Sequence, residues 1–212
     1  MPKFVDAALR RQEVVEAVFR IVAADGLERA SLREVADEAA LAVGSVRHYF
    51  ASSDELLAHS FGVVVDRVAG RLEAAEARLA GTVPGSAEHR RGVLALLGEF
   101  LPLDEERAVD ACVWMAFKNA ARTRPFLAAE ADRSHRTVAA VVGRLMIALA
   151  DDGGAADGAG QQQLVTEAER LLATLDGLTM HALLQPEWMT AQMCHDVLEA
   201  HLASLGSRAG SH

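Results

Sequence analysis

Apolar residues recur along the chain at helical spacing and almost nowhere alternate as they do in a strand. In "LRRQEVVEAVFRIVAA", Val14, Val15, Val18, Ile21 and Val22 fall on one face of a first helix over about 9–24, and Gly26 stops it. Ser31 and Glu34 form a capping-box pattern and open a second helix to about Ala39. After a tight turn, a short third helix runs from about Val43 to Phe50. Ser52 and Glu55 repeat the capping pattern and open a long fourth helix to about Ala80. "GTVPGSAEH", Gly81 to His89, breaks it. Further helices are predicted near 88–101, 104–121 and 125–150, with Pro125 suited to a first turn. "DDGGAADGAG", Asp151 to Gly160, predicts a flexible surface loop, and helices near 161–184 and 190–205 follow, split by Gln185-Pro186.

The expected fold is all-α, with about nine helices. Residues 1–52 form a three-helix head, and a long helix leads into a larger helical body over 53–205, with a tail at 206–212. A head of this size has a thin core and leans on the body.

Composition agrees. The 212 residues are 51% apolar, with seven Phe, two Trp and one Tyr, which is enough for a buried core and too apolar for a disordered chain. The net charge of −9 argues against a generic polyanion binder. Residues 1–60 carry seven Lys/Arg against ten Asp/Glu, a net of −3, so the count gives no ground for a broad basic face even there. Cys112 and Cys194 lie far apart in apolar surroundings, and two reduced thiols in a cytoplasmic protein are expected, the alternative being a disulfide that nothing in the sequence supports. No apolar run reaches membrane-spanning length, so no membrane partner is expected.

The candidate chemistry sits in the third helix, where Arg47, His48 and Tyr49 stand in a row. Three helices with a tight turn between the second and third make a helix-turn-helix, whose second element can enter the DNA major groove. Ala42, Val43, Gly44 and Ser45 are small and would let the backbone approach the bases. Arg47 can fork onto guanine or phosphate, while His48 and Tyr49 can donate to phosphate oxygens. Val46 and Phe50, four apart, would pin the helix from inside. Arg10 and Arg11 would either track phosphates from the first helix or stand solvated.

"SLREVADEAALAVGSVRHYFASSDELL" resembles the DNA-binding signature of the TetR family of bacterial regulators: "IA…AG", then "S-x-G-T-L-Y-x-H-F", then "K-E-x-L". The last segment, "LLATLDGLTMHALLQPEWMTAQMCHDVLEAHLASL", is similar to the BetI-like branch. Four positions depart from the pattern: Ala40 replaces the turn glycine, Ala42 a capping serine, Arg47 a tyrosine, and Ser53 a phosphate-contacting lysine. The amides around Ser53 would bind phosphate in the lysine's place, with modest nonspecific affinity and a shallow salt dependence. The DNA-facing set is therefore Ser31, Ala42, Val43, Gly44, Ser45, Arg47, His48, Tyr49 and Ser53.

The resemblance implies a homodimer on a palindromic double-stranded operator and a small-molecule effector in the body. It places the dimer interface on the last two helices, along Leu171, Leu172, Leu175 and Leu178 and along Val197, Leu198, Leu202 and Leu205. It places an effector pocket among Phe61, Phe100, Trp114, Met115, Phe117, Met146, Met180 and His181. So few rings make a quaternary-ammonium cage hard to build, so a mainly apolar effector is expected rather than choline. Read alone, each stripe or pocket residue is also an ordinary core residue. His195 and Glu199 could share a helix face, but His201 points elsewhere, so no metal is expected, and no cofactor.

The leading expectation is a ligand-responsive repressor. An activator, or a repressor that needs a corepressor, differs only in the sign of the ligand's effect. The alternative from another class is a helical small-molecule-binding protein or enzyme without a DNA role. It would need an acid–base or nucleophile–base pair, whereas Asp110, Lys118 and His181 are scattered polar residues, and no catalytic residue is assigned.

Overall fold

The computed structural model describes residues 7–150 and 158–209, the side chains of 150, 158–160 and 205–209 excepted. Among the described residues it is all-helical: α1 (Ala7–Asp25), α2 (Leu32–Glu38), α3 (Val43–Tyr49), α4 (Ser53–Ala80), α5 (Ala87–Gly98), α6 (Glu105–Ala121), α7 (Ala128–Ala150), α8 (Gly158–Leu184) and α9 (Ala191–Ala209). Short 3-10 turns at Leu27–Arg29 and Pro125–Leu127 precede α2 and α7. Two bounds differ from expectation. α8 begins at Gly158, inside the predicted loop, and α9 continues through Ala209, past the predicted start of the tail. Of the predicted loop, residues 151–157 lie outside the described residues, as do 210–212 of the tail.

Side-chain caps start several helices where the sequence placed them. Ser31 Oγ accepts from Glu34 N–H at 3.2 Å, Ser52 Oγ from Glu55 N–H at 3.1 Å, and Ser86 Oγ from His89 N–H at 3.0 Å. Asp104 caps α6, accepting from the Arg107 N–H at 2.8 Å, and this bond is the main reason its carboxyl titrates below the usual range.

The chain clusters into two compact units whose boundaries fall inside α4, α6 and α7. The first comprises Met1–Arg67 and Val109–Ser134. Its core joins Val14, Val18 and Phe19 of α1 with Val35 of α2, Val46 of α3, Phe50, Leu56 and Phe61 of α4, Val113 and Phe117 of α6, and Leu127. Phe61 and Phe117 stack nearly parallel with ring centres 5.1 Å apart. Arg124 Nη2 donates to both carboxylate oxygens of Glu28 at 2.5 and 2.6 Å, and Arg133 donates to the Gly62 carbonyl at 2.9 Å. The three-helix head therefore has no private core and shares one with the neighbouring stretches of α4, α6 and α7.

The second unit comprises Val68–Ala108 and His135–His212, in which α5 and α8 each pack against α9. Leu96, Leu97, Leu101, Val142, Leu171, Leu175 and Leu198 are buried there. Thr179 Oγ1 donates to the Phe100 carbonyl at 3.2 Å. Cys112 in the first unit and Cys194 in the second are free thiols, and burial raises the pKa of both.

Candidate nucleic-acid interface

The turn between α2 and α3 closes on itself. The Ala40 N–H donates to the Asp37 carbonyl at 3.1 Å and the Leu41 N–H to the Ala36 carbonyl at 2.8 Å. This is a Schellman cap, and it requires a left-handed residue at Ala40, whose φ is +53°. A side chain stands where glycine would be free of strain.

Ala42 then occupies the N-cap of α3 with φ −71° and ψ 142° and offers no side-chain acceptor. Val46 and Phe50 are fully buried. At this helical phase Ala42, Gly44, Ser45, Arg47 and His48 face solvent, while Val43 and Tyr49 are half-buried against the core. The expected interface therefore divides. Arg47 and His48 project outward, and Tyr49 leans inward with its ring edge-on to His48 at 5.2 Å.

Among the described residues, Arg33 and Arg47 are the head arginines with neither an acidic nor an aromatic partner, while the other four are committed. Arg10 pairs with Glu13 at 2.6 Å, Arg20 with Glu38 at 2.5 Å, and Arg29 with Glu34 at 3.6 Å. Arg11 lies over the Phe50 ring at 4.7 Å, so it braces the end of α3. His59 touches that ring at 5.3 Å, and burial, then the charge of Arg11, lowers its pKa.

Ser31 is exposed, with its Oγ engaged in the α2 cap. Ser53 opens α4 and is half-buried. Glu55 Oε2 accepts from the Ala51 N–H at 2.8 Å, so a phosphate arriving at this end would meet a carboxylate. Glu55 was legible only as half of a capping box, and its reach to Ala51 was not.

The body residues scatter. Phe61, Trp114, Met115 and Phe117 belong to the first unit, and Phe100, Met146, Met180 and His181 to the second. Phe61 and Phe117 are fully buried core, whereas Trp114 and Met115 are half-buried. Phe100 is half-buried and Met146 buried. Met180 and His181 correct the sequence reading. Leu171, Leu175, Leu178 and Ala182 take the inner face of α8, which turns Met180 and His181 to the outside. A surface cleft of about 350 Å³ between α4 and α5, lined by Ala75, Arg78, Thr82, Glu88, Arg91, Gly92 and Ala95, contains none of the predicted pocket residues.

Of the predicted dimer stripes, Leu171, Leu175, Leu178 and Leu198 are buried within the chain itself. Leu172, Val197 and Leu202 are half-buried, and the Leu205 side chain lies outside the described residues. The large apolar side chains left exposed on α8, α9 and their connection are Val165, Met180, Leu184, Trp188 and Met193.

Residues 14–59 match the profile described as bacterial regulatory proteins, tetR family, and residues 89–207 that of the BetI-type transcriptional repressor, C-terminal. The transcriptional regulator PksA of Bacillus subtilis (strain 168) is 34% identical over 205 residues, 97% of this chain and 94% of that protein. The chain belongs to the TetR family. It is therefore a transcriptional regulator with a helix-turn-helix and a BetI-type carboxy-terminal domain, in a family of regulators and not of enzymes. Its TetR-family relatives include the regulator BetI of Vibrio campbellii (strain ATCC BAA-1116), 22% identical over 95% of this chain and 94% of that one. A solved transcriptional regulator from Rhodococcus sp. Rha1 is 30% identical, with a TM-score of 0.73 over 92% of this chain and 94% of that chain. Among the described residues, no helix of this TetR-family chain is long and apolar enough to cross a membrane, and no His/Cys/Asp/Glu group could hold a metal ion.

Proposed function

We propose that this TetR-family chain is a ligand-responsive repressor that binds a palindromic operator as a homodimer and is released by a small, mainly apolar effector. The observation that carries the reading is α3, where the buried Val46 and Phe50 fix a face on which Gly44, Ser45, Arg47 and His48 stand exposed. A short helix held this way can enter a major groove, with Arg47 able to fork onto a base or a phosphate. Two copies related by a two-fold axis would read two half-sites in inverted order.

The exposed Met180, Leu184 and Trp188, with Met193 on α9, support pairing of copies through the outer faces of α8 and α9. Leu184→Glu should lower the mass measured by light scattering from dimer to monomer, and an unchanged dimer would move the interface elsewhere. Trp114 and Met115, half-buried on α6, suit an apolar effector. Such an effector releases DNA only if it favours the state that binds DNA poorly.

The deciding experiment is selection of duplexes from a random library on the purified protein. The expected product is an inverted repeat with half-sites about one helical turn apart. A folded protein that enriches no sequence at low salt overturns the reading.

A further inference from the structure

The cleft between α4 and α5 is lined by two arginines whose charges the fold leaves largely open. Arg91 of α5 has neither a hydrogen bond nor an ion pair among the described residues. Arg78 of α4 lies 3.6 Å from Glu99, beyond hydrogen-bond length, and its side chain is 65% exposed. It shares that carboxylate with Arg107 at 3.5 Å and Arg71 at 3.8 Å, both of which are more enclosed. A loose, exposed pair of this kind contributes little, so Arg78 can turn to another anion at small cost.

The connection that closes the end of the cleft is braced. Thr82 Oγ1 donates to the Leu79 carbonyl at 2.7 Å, so the same oxygen must accept from His89 Nδ1 at 2.9 Å. Arg90 donates to the Gly85 carbonyl at 2.9 Å, and Ser86 caps α5. A ligand therefore need not order this connection on arrival. Ala75, Gly92 and Ala95 carry nothing beyond Cβ and leave the space between the arginines clear. A methyl added to Gly92 would come within 2.8 Å of Leu79 Cδ1, so α4 closes the cleft at that point. The volume of about 350 Å³ falls at the small end of ligand pockets, which run from roughly 300 to 1,000 Å³.

We propose that this cleft binds a small organic monoanion, with its carboxylate between Arg78 and Arg91 and its short hydrocarbon body against Ala75 and Ala95. A planar carboxylate matches the fork of a guanidinium. Glu88 also lines the cleft and, three residues before Arg91, does not pair with it. A second negative group on the ligand would meet that carboxylate, which selects a single charge. The cleft lies wholly in the second unit, whereas Trp114 and Met115 belong to the first. It is a separate site from the one proposed for the effector, and it stands whether or not the chain binds an operator.

The test is saturation-transfer NMR of the full chain with sodium benzoate. Binding should saturate with a Kd of about 1 mM or tighter. Arg78→Gln and Arg91→Gln should each weaken it about tenfold or more. Ala95→Leu, which keeps both charges and fills the cleft, should do the same. These three changes are at exposed positions, so the urea midpoint should stay near that of the wild type. Arg122→Gln removes an exposed arginine of the first unit and should leave Kd within about twofold. Hexanoate should displace benzoate, and inorganic phosphate at equal ionic strength should need about tenfold more to do so. Benzoate that never saturates, or that binds Arg91→Gln or Ala95→Leu as it binds the wild type, overturns the proposal. So does an equal loss in Arg122→Gln, or phosphate that competes as well as hexanoate, since either result leaves only a patch of surface charge.

Discussion

Ala40→Gly should stabilise the protein. Ala40 sits at φ +53°, a left-handed conformation that costs an L-residue about 1–2 kcal/mol. Glycine removes that cost but loosens the unfolded chain by about 0.4–1 kcal/mol. Little else changes, because the Ala40 methyl is exposed and both bonds of the turn, Ala40 N–H to Asp37 and Leu41 N–H to Ala36, are made by backbone. The net expectation is a gain of about 0.5–1 kcal/mol. Ala40→Val should go the other way by about 1 kcal/mol or more, since a β-branched residue fits the left-handed region poorly. Urea unfolding at fixed protein concentration checks both, read as a midpoint shift at unchanged slope. Affinity for a selected operator should stay within about twofold for the glycine variant, because the turn it relieves keeps its geometry. A glycine midpoint equal to or below the wild type would refute the claim that the turn is strained.

Ala42→Ser should add the missing N-cap acceptor of α3 and raise stability by about 1 kcal/mol in the same assay. Arg47→Ala should weaken binding to the selected operator by about 1–3 kcal/mol and binding to random duplex much less; an equal loss on both, with a shallower salt dependence, would make Arg47 a phosphate anchor. His201 contacts Thr174 and lies near Arg170 and Glu167, and burial, then the charge of Arg170, lowers its pKa. The unfolded chain therefore takes up that proton more readily, so the stability contributed by His201 is full above the ordinary imidazole value of about 6.5 and is lost as pH falls through the lowered one. The drop in urea midpoint between pH 7.5 and 5.5 should narrow, without vanishing, in His201→Gln, because His59 is shifted in the same direction; an identical drop would refute the assignment.

Local physics made the helices legible. The Val14–Val18–Ile21 stripe, the caps at Ser31 and Ser52, and the break at Gly81 to Ser86 each act within a few residues, so the sequence displays them. The inward turn of Val46 and Phe50 followed from their spacing of four. The missed features depend on distant partners. The stripe Leu171–Leu175–Leu178 announces burial, but periodicity does not say whether the chain or a second copy does the burying, and the chain's own helices do. Met180 and His181 were grouped with the pocket by the resemblance, although both are exposed on α8. Asp110 stands in an apolar run, and Arg67, which pairs with it, comes from another helix. The substitution at Ala40 was visible against the family pattern, but only the backbone angle shows that the left-handed turn was kept rather than replaced.

The shared core of the first unit also governs how the protein is made. The amino-terminal helices leave the ribosome first, yet Val113, Phe117 and Leu127 complete their packing, and Glu28 awaits Arg124, 96 residues later. Loop closure over that distance must come before the head's last contacts form. Nascent chains should therefore stay open to proteases and chaperones at α1–α3 until synthesis has passed Leu127. A fragment cut out at Phe50 as a minimal DNA reader would lack the residues that finish its own interior.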